Sequence, residues 1–530
     1  MSAHLAELLT RAATEAPDAV ALVEAASGRR VTWAELDAET DQVARGLNAL
    51  GLVAGYRVVI AMGNRVEFVT SYLGTLRAGL VAVPVNPRSA TGELVRLVAD
   101  CRARVVVADA DTVTTVRQAV AGLQDALTAA DEELVRSTPV PRIVVAGLPA
   151  VPGETRYADL LTSAGTAAPV AADPERLAVL LYTSGTSGRP RAAMLSHRAL
   201  LANLEQVARL DPPMLRGDDV VFGVLPLFHV YGLNAVLGQV LRQHARLVLV
   251  NGFDVEGSLR VIEDEAVTVV PVAPPVFAYW RAVHDLRERL AGVRLVLSGS
   301  APLSAELVDV FEQRTGIAVH QGYGLTEAAP VVTSTLRSAH PKRGSVGVAL
   351  DGIDIRLVDD SGRAPEGEDP GEIWIRGDNL FSGYWPHGED GPDAGGWYAT
   401  GDVGFLDGDG DLFLVDRLKE LVIVSGFNVY PVEVEDVIAE VDGVAEAAVI
   451  GTPDPRTGEA VVAYVRPSGT AYTAEELEEL VREHCAVRLA RFKRPTEVHV
   501  VDQLPHTVTG KVAKGRLRER RQRRTQGLLE

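Results

Sequence analysis

Between Tyr182 and Arg191 the chain gathers hydroxyls and glycines into one short run, Thr183-Ser184-Gly185-Thr186-Ser187-Gly188, with the cation of Arg191 close behind. Such a run presents backbone N–H groups, hydroxyls and a positive charge together, which is what phosphate oxygens accept from. A flexible polar turn has the same composition, and the residue types leave both readings open. No Lys-Ser/Thr pair follows Gly188, so the run does not fit G-x-x-x-x-G-K-[ST] and a P-loop kinase is a weak reading. Four more chemically able side chains end or interrupt short motifs. His229 lies in Pro226-Leu227-Phe228-His229-Val230-Tyr231-Gly232, and Glu327 closes Gln321-Gly322-Tyr323-Gly324-Leu325-Thr326-Glu327. Asp402 closes Tyr398-Ala399-Thr400-Gly401-Asp402, and Lys511 closes Pro505-His506-Thr507-Val508-Thr509-Gly510-Lys511. An ionised carboxylate only accepts hydrogen bonds, so it suits a diol, and its oxygens suit a hard cation. Taken singly, each also has a plain alternative. A histidine in an apolar run is more often a satisfied core residue, and Ser298-Gly299-Ser300-Ala301-Pro302 or Asp416-Arg417-Leu418-Lys419-Glu420 reads as a turn.

In this order along the chain, the motifs resemble those of the adenylate-forming superfamily of acyl-CoA synthetases, peptide-synthetase adenylation domains and firefly-type luciferases. The loop from Tyr182 is similar to Y-T-S-G-T-T-G-x-P-K-G, with Ser196-His197 following as the family has it. Arg191 stands where the family usually has Lys and Ala192 where it has Gly. The resemblance runs from about Val31 to Arg518 and is nearest to bacterial fatty-acyl-CoA ligases. It implies roles for named residues. Thr183, Ser184, Gly185, Thr186, Ser187, Gly188 and Arg191 hold the pyrophosphate end of ATP. Ser300, Ala301, Pro302, Gln321, Gly322, Tyr323 and Gly324 surround adenine. Thr326 meets the α-phosphate, Glu327 and Thr186 hold Mg²⁺, Asp402 and Arg417 take the ribose, and Asp416 is the hinge. His229, Tyr231, Gly232, Asn234 and Val272 line the acyl pocket. Lys419, Ser425 and Gly426 lie near nucleotide or pantetheine, and Lys511 is the catalytic cation.

The implied reaction activates a carboxylic acid as its acyl-adenylate and passes the acyl group to coenzyme A, releasing AMP and pyrophosphate. The mostly apolar or small pocket residues, with no cation for a second carboxylate, lean toward a medium or long fatty acid. An aryl or phenylpropenoic acid is the nearest alternative. Lysines found in related aryl-type ligases are replaced by Ile423 and Ser425. An acyl carrier protein is the alternative acceptor, although the stretch from Gly344 to Glu372 is short where carrier-loading relatives often have an insertion. A luciferase-like monooxygenase and a non-catalytic adenylate sensor are the other classes, separated by O₂ consumption and by pyrophosphate release.

The elements that must position these groups alternate. Val31-Thr32-Trp33-Ala34-Glu35 has the S/T-x-x-E form of a capping box, opening a helix with Leu36, Val43, Leu47 and Leu50 on one face. Strands are expected at Arg57–Met62, Leu80–Val85 and Val105–Ala108, with helices at Val66–Arg77 and Glu93–Asp100 between them, a βαβαβ order that implies parallel strands. Apolar runs at Leu177–Tyr182, Ala245–Val250, Val267–Val272 and Val293–Leu297 extend this grammar. The stretch 121–173 reads as surface connection around one strand, Arg142–Ala146. From about Gly371 the pattern turns to antiparallel strands, with a turn at Gly408-Asp409-Gly410-Asp411. A small α+β unit follows. Pro431 opens its helix, Val432–Val441, and strands are expected at Ala447–Ile450, Glu459–Val465 and Glu497–Val501 around a helix at Ala474–Leu489. The expected architecture is α/β, with a large lobe (1–415) of parallel α/β sheets plus a β-rich subdomain, and a small mobile α+β domain (416–530).

Composition bounds the partners. The chain has 530 residues, 47% apolar and 23% charged, as an ordinary globular protein does. A net charge of −19 argues against nucleic acid and anionic membranes. The tail Lys511–Arg524 is the basic exception and reads first as a solvated helix, second as a lipid contact. Two distant cysteines, Cys101 and Cys485, make a disulfide framework or Cys zinc site a poor fit and a reducing cytoplasm a good one. No transmembrane segment or secretory signal is expected, no carrier domain follows the small domain, and a homodimer is compatible with the sequence.

Overall fold

The structure is a computed structural model that describes residues 4–128, 139–163, 173–183, 191–301, 303–359, 361–365, 367, 369–417, 420, 422–424, 427–454, 457–489, 491–507 and 511–525. Two seven-stranded sheets form its larger part. One runs in the order Val319–Gln321, Leu295–Ser298, Val269–Val272, Val220–Gly223, Arg246–Leu249, Val20–Glu24, Arg29–Thr32. The other runs Thr155–Arg156, Arg142–Val145, Val105–Ala108, Arg57–Ala61, Val81–Pro84, Leu177–Thr183, Arg191–Ser196. Each is parallel except for one antiparallel pair at its edge.

Alternation along the strands explains the layering. Val58 and Ile60 face a core shared by both sheets, whereas Val59 and Ala61 face a separate cluster under the helices Thr91–Asp100 and Val113–Thr128. In the other sheet Leu22, Leu247, Val269 and Leu295 join the shared core, and Val23, Val248, Val270 and Val296 pack with Trp280 and Phe311 on the far face. A strand buried on both faces must be apolar at every position, which is why these segments read as continuous Val/Leu runs. Each such side chain contributes about 1.5–3 kcal/mol by leaving water.

The expected capping box is present. Thr32 accepts from the Glu35 N–H at 3.2 Å while the Glu35 carboxylate accepts from the Thr32 N–H at 2.8 Å, opening the helix Trp33–Ala49. The βαβαβ order and the helix Val66–Arg77 also stand as expected. Several stretches differ. The helix Val113–Thr128 and the short helix Tyr157–Leu161 occupy ground read as surface connection. A strand at Arg191–Ser196 folds back on Leu177–Thr183. The basic tail helix begins at Lys514.

Beyond these sheets, Ile353–Val358, Gly371–Gly377, Tyr398–Leu406 and Leu412–Arg417 form an antiparallel sheet, with the expected turn joining its last two strands. Pairing then changes hands. Val422–Val424 pairs with Phe427–Val429 and, through Val424, with the strand Gly458–Pro467, in a sheet completed by Val444–Asp454 and Glu497–Val500. This sheet is covered by the helices Pro431–Ala439 and Ala474–Arg488. The change of sheet falls between Arg417 and Val422, so Asp416, proposed as the boundary, sits one residue inside the last strand of the preceding sheet. The α/β class expected from the sequence is the class observed. Among the described residues no helix is long and apolar enough to cross a membrane.

At the foot of the large lobe, His4 stacks on His197 with ring centroids 3.9 Å apart. His4 Nδ1 accepts from the Ala6 N–H at 3.2 Å and His197 Nδ1 from the Leu5 N–H at 3.2 Å. Burial lowers His4 to about 4 and His197 to about 3. Both are therefore neutral in the fold, while in the unfolded chain they titrate near 6.5. Below that pH the unfolded chain binds protons the fold refuses, so stability complete above about 6.5 is lost as pH falls toward 4. The loss at pH 5 is about 2 kcal/mol per ring. We expect a melting temperature several degrees lower at pH 5 than at pH 7, and a smaller fall in His197→Gln, which keeps an acceptor for Leu5. Equal falls in scanning calorimetry would show that the pair is not responsible.

Candidate active site

The stem of the hydroxyl-rich loop is a hairpin. Leu177–Thr183 and Arg191–Ser196 pair so that Thr183 stands opposite Arg191, and the Thr183 hydroxyl donates to the Arg191 carbonyl at 3.4 Å. Ser184, Gly185, Thr186, Ser187 and Gly188 lie outside the described residues. The stem is anchored at its base, where the Tyr182 hydroxyl donates to Asp100 Oδ2 at 2.5 Å and Trp385 Nε1 donates to the Asp100 carbonyl at 3.0 Å. Residues 382–385 lie along the outer side of the stem. Ser382 N–H donates to Met194 O, Met194 N–H to Gly383 O and Trp385 N–H to Ala192 O, at 2.9, 3.0 and 2.9 Å. This register sets Tyr384 against Ala193. It also brings the Arg191 guanidinium 3.8 Å above the Tyr384 ring centroid, while Arg191 Nη2 pairs with Asp390 Oδ2 at 2.7 Å.

The Tyr384 hydroxyl, in turn, donates to Glu327 Oε1 at 2.5 Å. Glu327 and Thr326 sit in one 3₁₀ turn, Thr326–Ala328, with Glu327 buried. A second tyrosine–carboxylate pair lies close by, the Tyr323 hydroxyl donating to Asp402 Oδ2 at 2.6 Å. Tyr398 joins the two pairs. Phe381 stands edge-on to both Tyr384 and Tyr398 at 5.0 Å, and Glu327 and Asp402 both act on the Tyr398 phenol, which burial first of all pushes up. The glycines of this turn answer to the protein itself. A Cβ on Gly322 would meet the Thr333 carbonyl at 2.7 Å, and one on Gly324 would strike the Pro330 carbonyl across the bridge to Val331. Gln321 ends the strand Val319–Gln321. Ser300, after the strand Leu295–Ser298, takes a φ of +74°, a conformation costly for a side chain with a Cβ and one that clusters at functional sites. Ala301 follows it, and Pro302 lies outside the described residues.

On the acyl side, His229 Nδ1 accepts from the Tyr231 N–H at 3.3 Å, which puts the proton of the neutral ring on Nε2. Burial, and then the charge of Lys511, lower His229 to about 4. The Tyr231 ring lies against Gly299, where a Cβ would come within 2.9 Å of Tyr231 Cε1. Three residues expected in the pocket are committed to packing. Gly232 lets the helical turn Tyr231–Gly238 close on the Pro226 carbonyl. Asn234, fully buried, donates to the Leu200 and Ala329 carbonyls at 3.1 and 2.7 Å. Val272 is fully buried in the apolar cluster of Val270, Val276 and Phe277.

Lys511 is carried on a short hairpin. His506 bridges Val512, Thr507 N–H donates to the Lys511 carbonyl at 2.7 Å, and Lys511 N–H donates to Thr507 Oγ1 at 3.1 Å. Both sides of the hairpin are pinned. His506 Nε2 meets Glu446 Oε1 at 2.6 Å, and Lys514 Nζ, only 9% exposed, pairs with Glu435 at 2.8 Å and Glu420 at 3.2 Å. Lys511 itself is exposed at the surface of this lobe, yet its charge acts on His229 in the other. Asp416 and Arg417 pair through their backbones with Val403 and Asp402, which places the end of that strand beside the ribose candidate. Lys419, Ser425 and Gly426 lie outside the described residues.

The structure thus brings together Arg191, Tyr323, Glu327 and Asp402, and separately His229, Tyr231 and Lys511. Sequence reasoning passed over Tyr384, Asp390 and the packing role of Gly299. The Gly383-Tyr384-Trp385 triplet was the available signal for the first.

The family model described as AMP-binding enzyme matches residues 9–385, and that described as AMP-binding enzyme C-terminal domain matches residues 433–511. The chain is 35% identical to 4-coumarate–CoA ligase-like 9 of Oryza sativa subsp. japonica over 523 residues, 95% of this chain and 90% of the relative. It superposes on ATP-bound MatB from Rhodopseudomonas palustris with a TM-score of 0.86 at 31% identity, covering 98% of this chain and 99% of the other. Against apo MatB the TM-score is 0.74 at the same coverage. A Mycobacterium tuberculosis fatty acyl CoA synthetase gives 0.74 at 30% identity, covering 98% of each chain.

The Lys514 triad generates an expectation of its own. Lys514→Met leaves Glu420 and Glu435 facing an apolar side chain, at a cost of about 3 kcal/mol. We expect faster hydrogen exchange across residues 505–513, with the seven-stranded sheets unchanged. Wild-type protection there would show that the triad does not hold the hairpin.

Proposed function

The chain belongs to the AMP-binding enzyme family and is an AMP-forming acid–thiol ligase, and from that premise we propose which residues do the work and on which acid. The observation that carries the proposal is that the Lys511 charge, after burial, lowers His229, beside the pairing of Tyr323 with Asp402 and of Tyr384 with Glu327.

A carboxylate must attack the α-phosphorus of ATP, and both partners are anions. Lys511 screens them and bridges the entering carboxylate and the α-phosphate as charge moves, a stabilisation by position rather than by proton transfer. Asp402, already hydrogen-bonded to Tyr323, accepts from the ribose hydroxyls, and the Tyr323 ring packs on adenine. Thr326 contacts the α-phosphate. Thr183–Arg191 takes the pyrophosphate. The donor set suits Mg²⁺. Glu327, with Thr186, would hold the ion, which would supply charge to the polyphosphate. Mg²⁺ neutralises polyphosphate charge when bound. His229, neutral and protonated on Nε2, donates toward the acid carboxylate without adding a cation that would compete with Lys511.

The better fit to ATP-bound than to apo MatB supports the reading that the lobes here stand as they do for adenylation. Rotation after Asp416 then withdraws Lys511 and admits coenzyme A beside Ser425 and Gly426. For the acid we favour a phenylpropenoic or other aryl monocarboxylate, because the 4-coumarate–CoA ligase relative spans 95% of the chain. A fatty acid, the first expectation from the sequence, is the second reading and is favoured by the similarity to a fatty acyl CoA synthetase.

Lys511→Ala is expected to slow acid-dependent pyrophosphate release by about two to three orders of magnitude. ATP binding and thioester formation from supplied acyl-adenylate should stay close to wild type. Unchanged pyrophosphate release would remove Lys511 from the chemistry. A panel of hydroxycinnamic, benzoic and C8–C16 fatty acids, with and without coenzyme A, separates the substrate classes. The highest kcat/KM is expected on a hydroxycinnamate, and a fatty acid leading the panel would reverse the preference.

A further inference from the structure

Arg191 stands where related chains carry lysine, and its surroundings are built for the guanidinium. The guanidinium carbon lies 3.8 Å from the Tyr384 ring centroid, and Nη2 donates to Asp390 Oδ2 at 2.7 Å. A guanidinium can set its carbon over a ring face and one of its nitrogens on a carboxylate at once, which a compact ammonium cannot. The platform is itself prepared. The Tyr384 hydroxyl donates to the Glu327 carboxylate, which makes the ring richer in electrons and the cation–π contact stronger. The arrangement follows from backbone. Residues 382–385 add to the stem strand, and the turn that returns through Glu389 O to Tyr384 N–H, at 2.9 Å, delivers Asp390 with a φ of +50° beside the guanidinium. Asp390 is 72% exposed and Arg191 only 35%, so the carboxylate is the solvent-facing and more easily displaced partner.

We propose that Asp390 is the resting counter-ion of Arg191, displaced by the polyphosphate of the nucleotide, and that Tyr384 is the positioning platform on which the exchange occurs. The proposal rests on the reading of Thr183–Arg191 as the polyphosphate site and goes beyond it. Without anion, the pair keeps Arg191 over the ring. With ATP or pyrophosphate, the guanidinium keeps its stack and changes its ionic partner. Asp390 therefore tunes retention of pyrophosphate, weakening a product that must leave before the acceptor thiol enters. The substitution of arginine for lysine and the acidic residue at 390 form one device.

The test is the dissociation constant of Mg²⁺–pyrophosphate and Mg²⁺–ATP, measured by calorimetry on the full chain. Asp390→Asn is expected to bind pyrophosphate about three- to fivefold more tightly, the range of an exposed ion pair. In an Arg191→Gln background the same change should give less than about 1.5-fold, because the partner is gone. An equal gain in both backgrounds would mean simple through-space repulsion by Asp390 and would overturn the proposal, as would no gain in Asp390→Asn. Tyr384→Leu should weaken pyrophosphate about threefold and Tyr384→Phe by less, since only the first removes the ring. Equal losses in both would remove the platform role. If the wild type released pyrophosphate with acid yet Asp390→Asn bound it as wild type does, only the counter-ion would be lost. If the wild type bound neither nucleotide nor pyrophosphate, the polyphosphate site itself would be refuted.

Discussion

One positive charge has to cross from a small lobe to a large one. Lys511 rides on a hairpin of the C-terminal sheet domain, and the group its charge reaches, His229, opens a helical turn of the large lobe. Two anions cannot be pressed together in a dry cleft unless a cation is brought between them, and the strength of that cation grows as water leaves. The pinning of the hairpin by His506–Glu446 on one side and by Lys514 with Glu420 and Glu435 on the other has its purpose here. A flexible lysine on a flexible turn would spend in ordering what it gains in attraction.

The large lobe prepares for the same event with two tyrosine–carboxylate pairs. Tyr323–Asp402 and Tyr384–Glu327 tie the turn after the strand Val319–Gln321 to the antiparallel sheet and to the segment beside the loop stem. Each carboxylate accepts a short hydrogen bond from a tyrosine hydroxyl. One of the elements meeting here, the turn after Val319–Gln321, follows the carboxyl end of a parallel strand, where open α/β sheets place their ligands. Arg191 joins the cluster through Tyr384, which connects the loop stem to the turn that carries Glu327.

Much of this was legible before any coordinates. Apolar runs gave central strands such as Arg57–Ala61 and Val105–Ala108 because these strands are buried on two faces, as Val58 and Val59 illustrate. The capping box at Thr32 is a local interaction and was read as such. What escaped depends on contacts far apart in sequence. Ala192-Ala193-Met194 lacks the β-branched residues that announce a strand, and it becomes one by pairing with Leu177–Thr183 and with residues 382–385. Tyr384 acquires its role from that same pairing. The helix Val113–Thr128 is rich in Ala, Thr and Gln, and its one-sided burial is visible only beside Leu94 and Val98. Gly322 and Gly324 invited a reading of close approach to a nucleotide, and the nearer constraint is the Thr333 and Pro330 carbonyls. Val272 packs in the apolar cluster of Val270, Val276 and Phe277, and Asn234 donates to the Leu200 and Ala329 carbonyls, contacts that depend on the fold rather than on the local sequence.

The most direct measurement of the charge that crosses the cleft is the titration of His229 itself, followed by NMR of selectively labelled histidine in the full chain and in Lys511→Met. With Lys511 in place the ring is lowered to about 4 by burial and by that ammonium. We expect the midpoint to rise in the variant, where burial acts alone. Superimposable titration curves would mean that the ammonium does not reach the cleft, and Lys511 would lose the part given to it here.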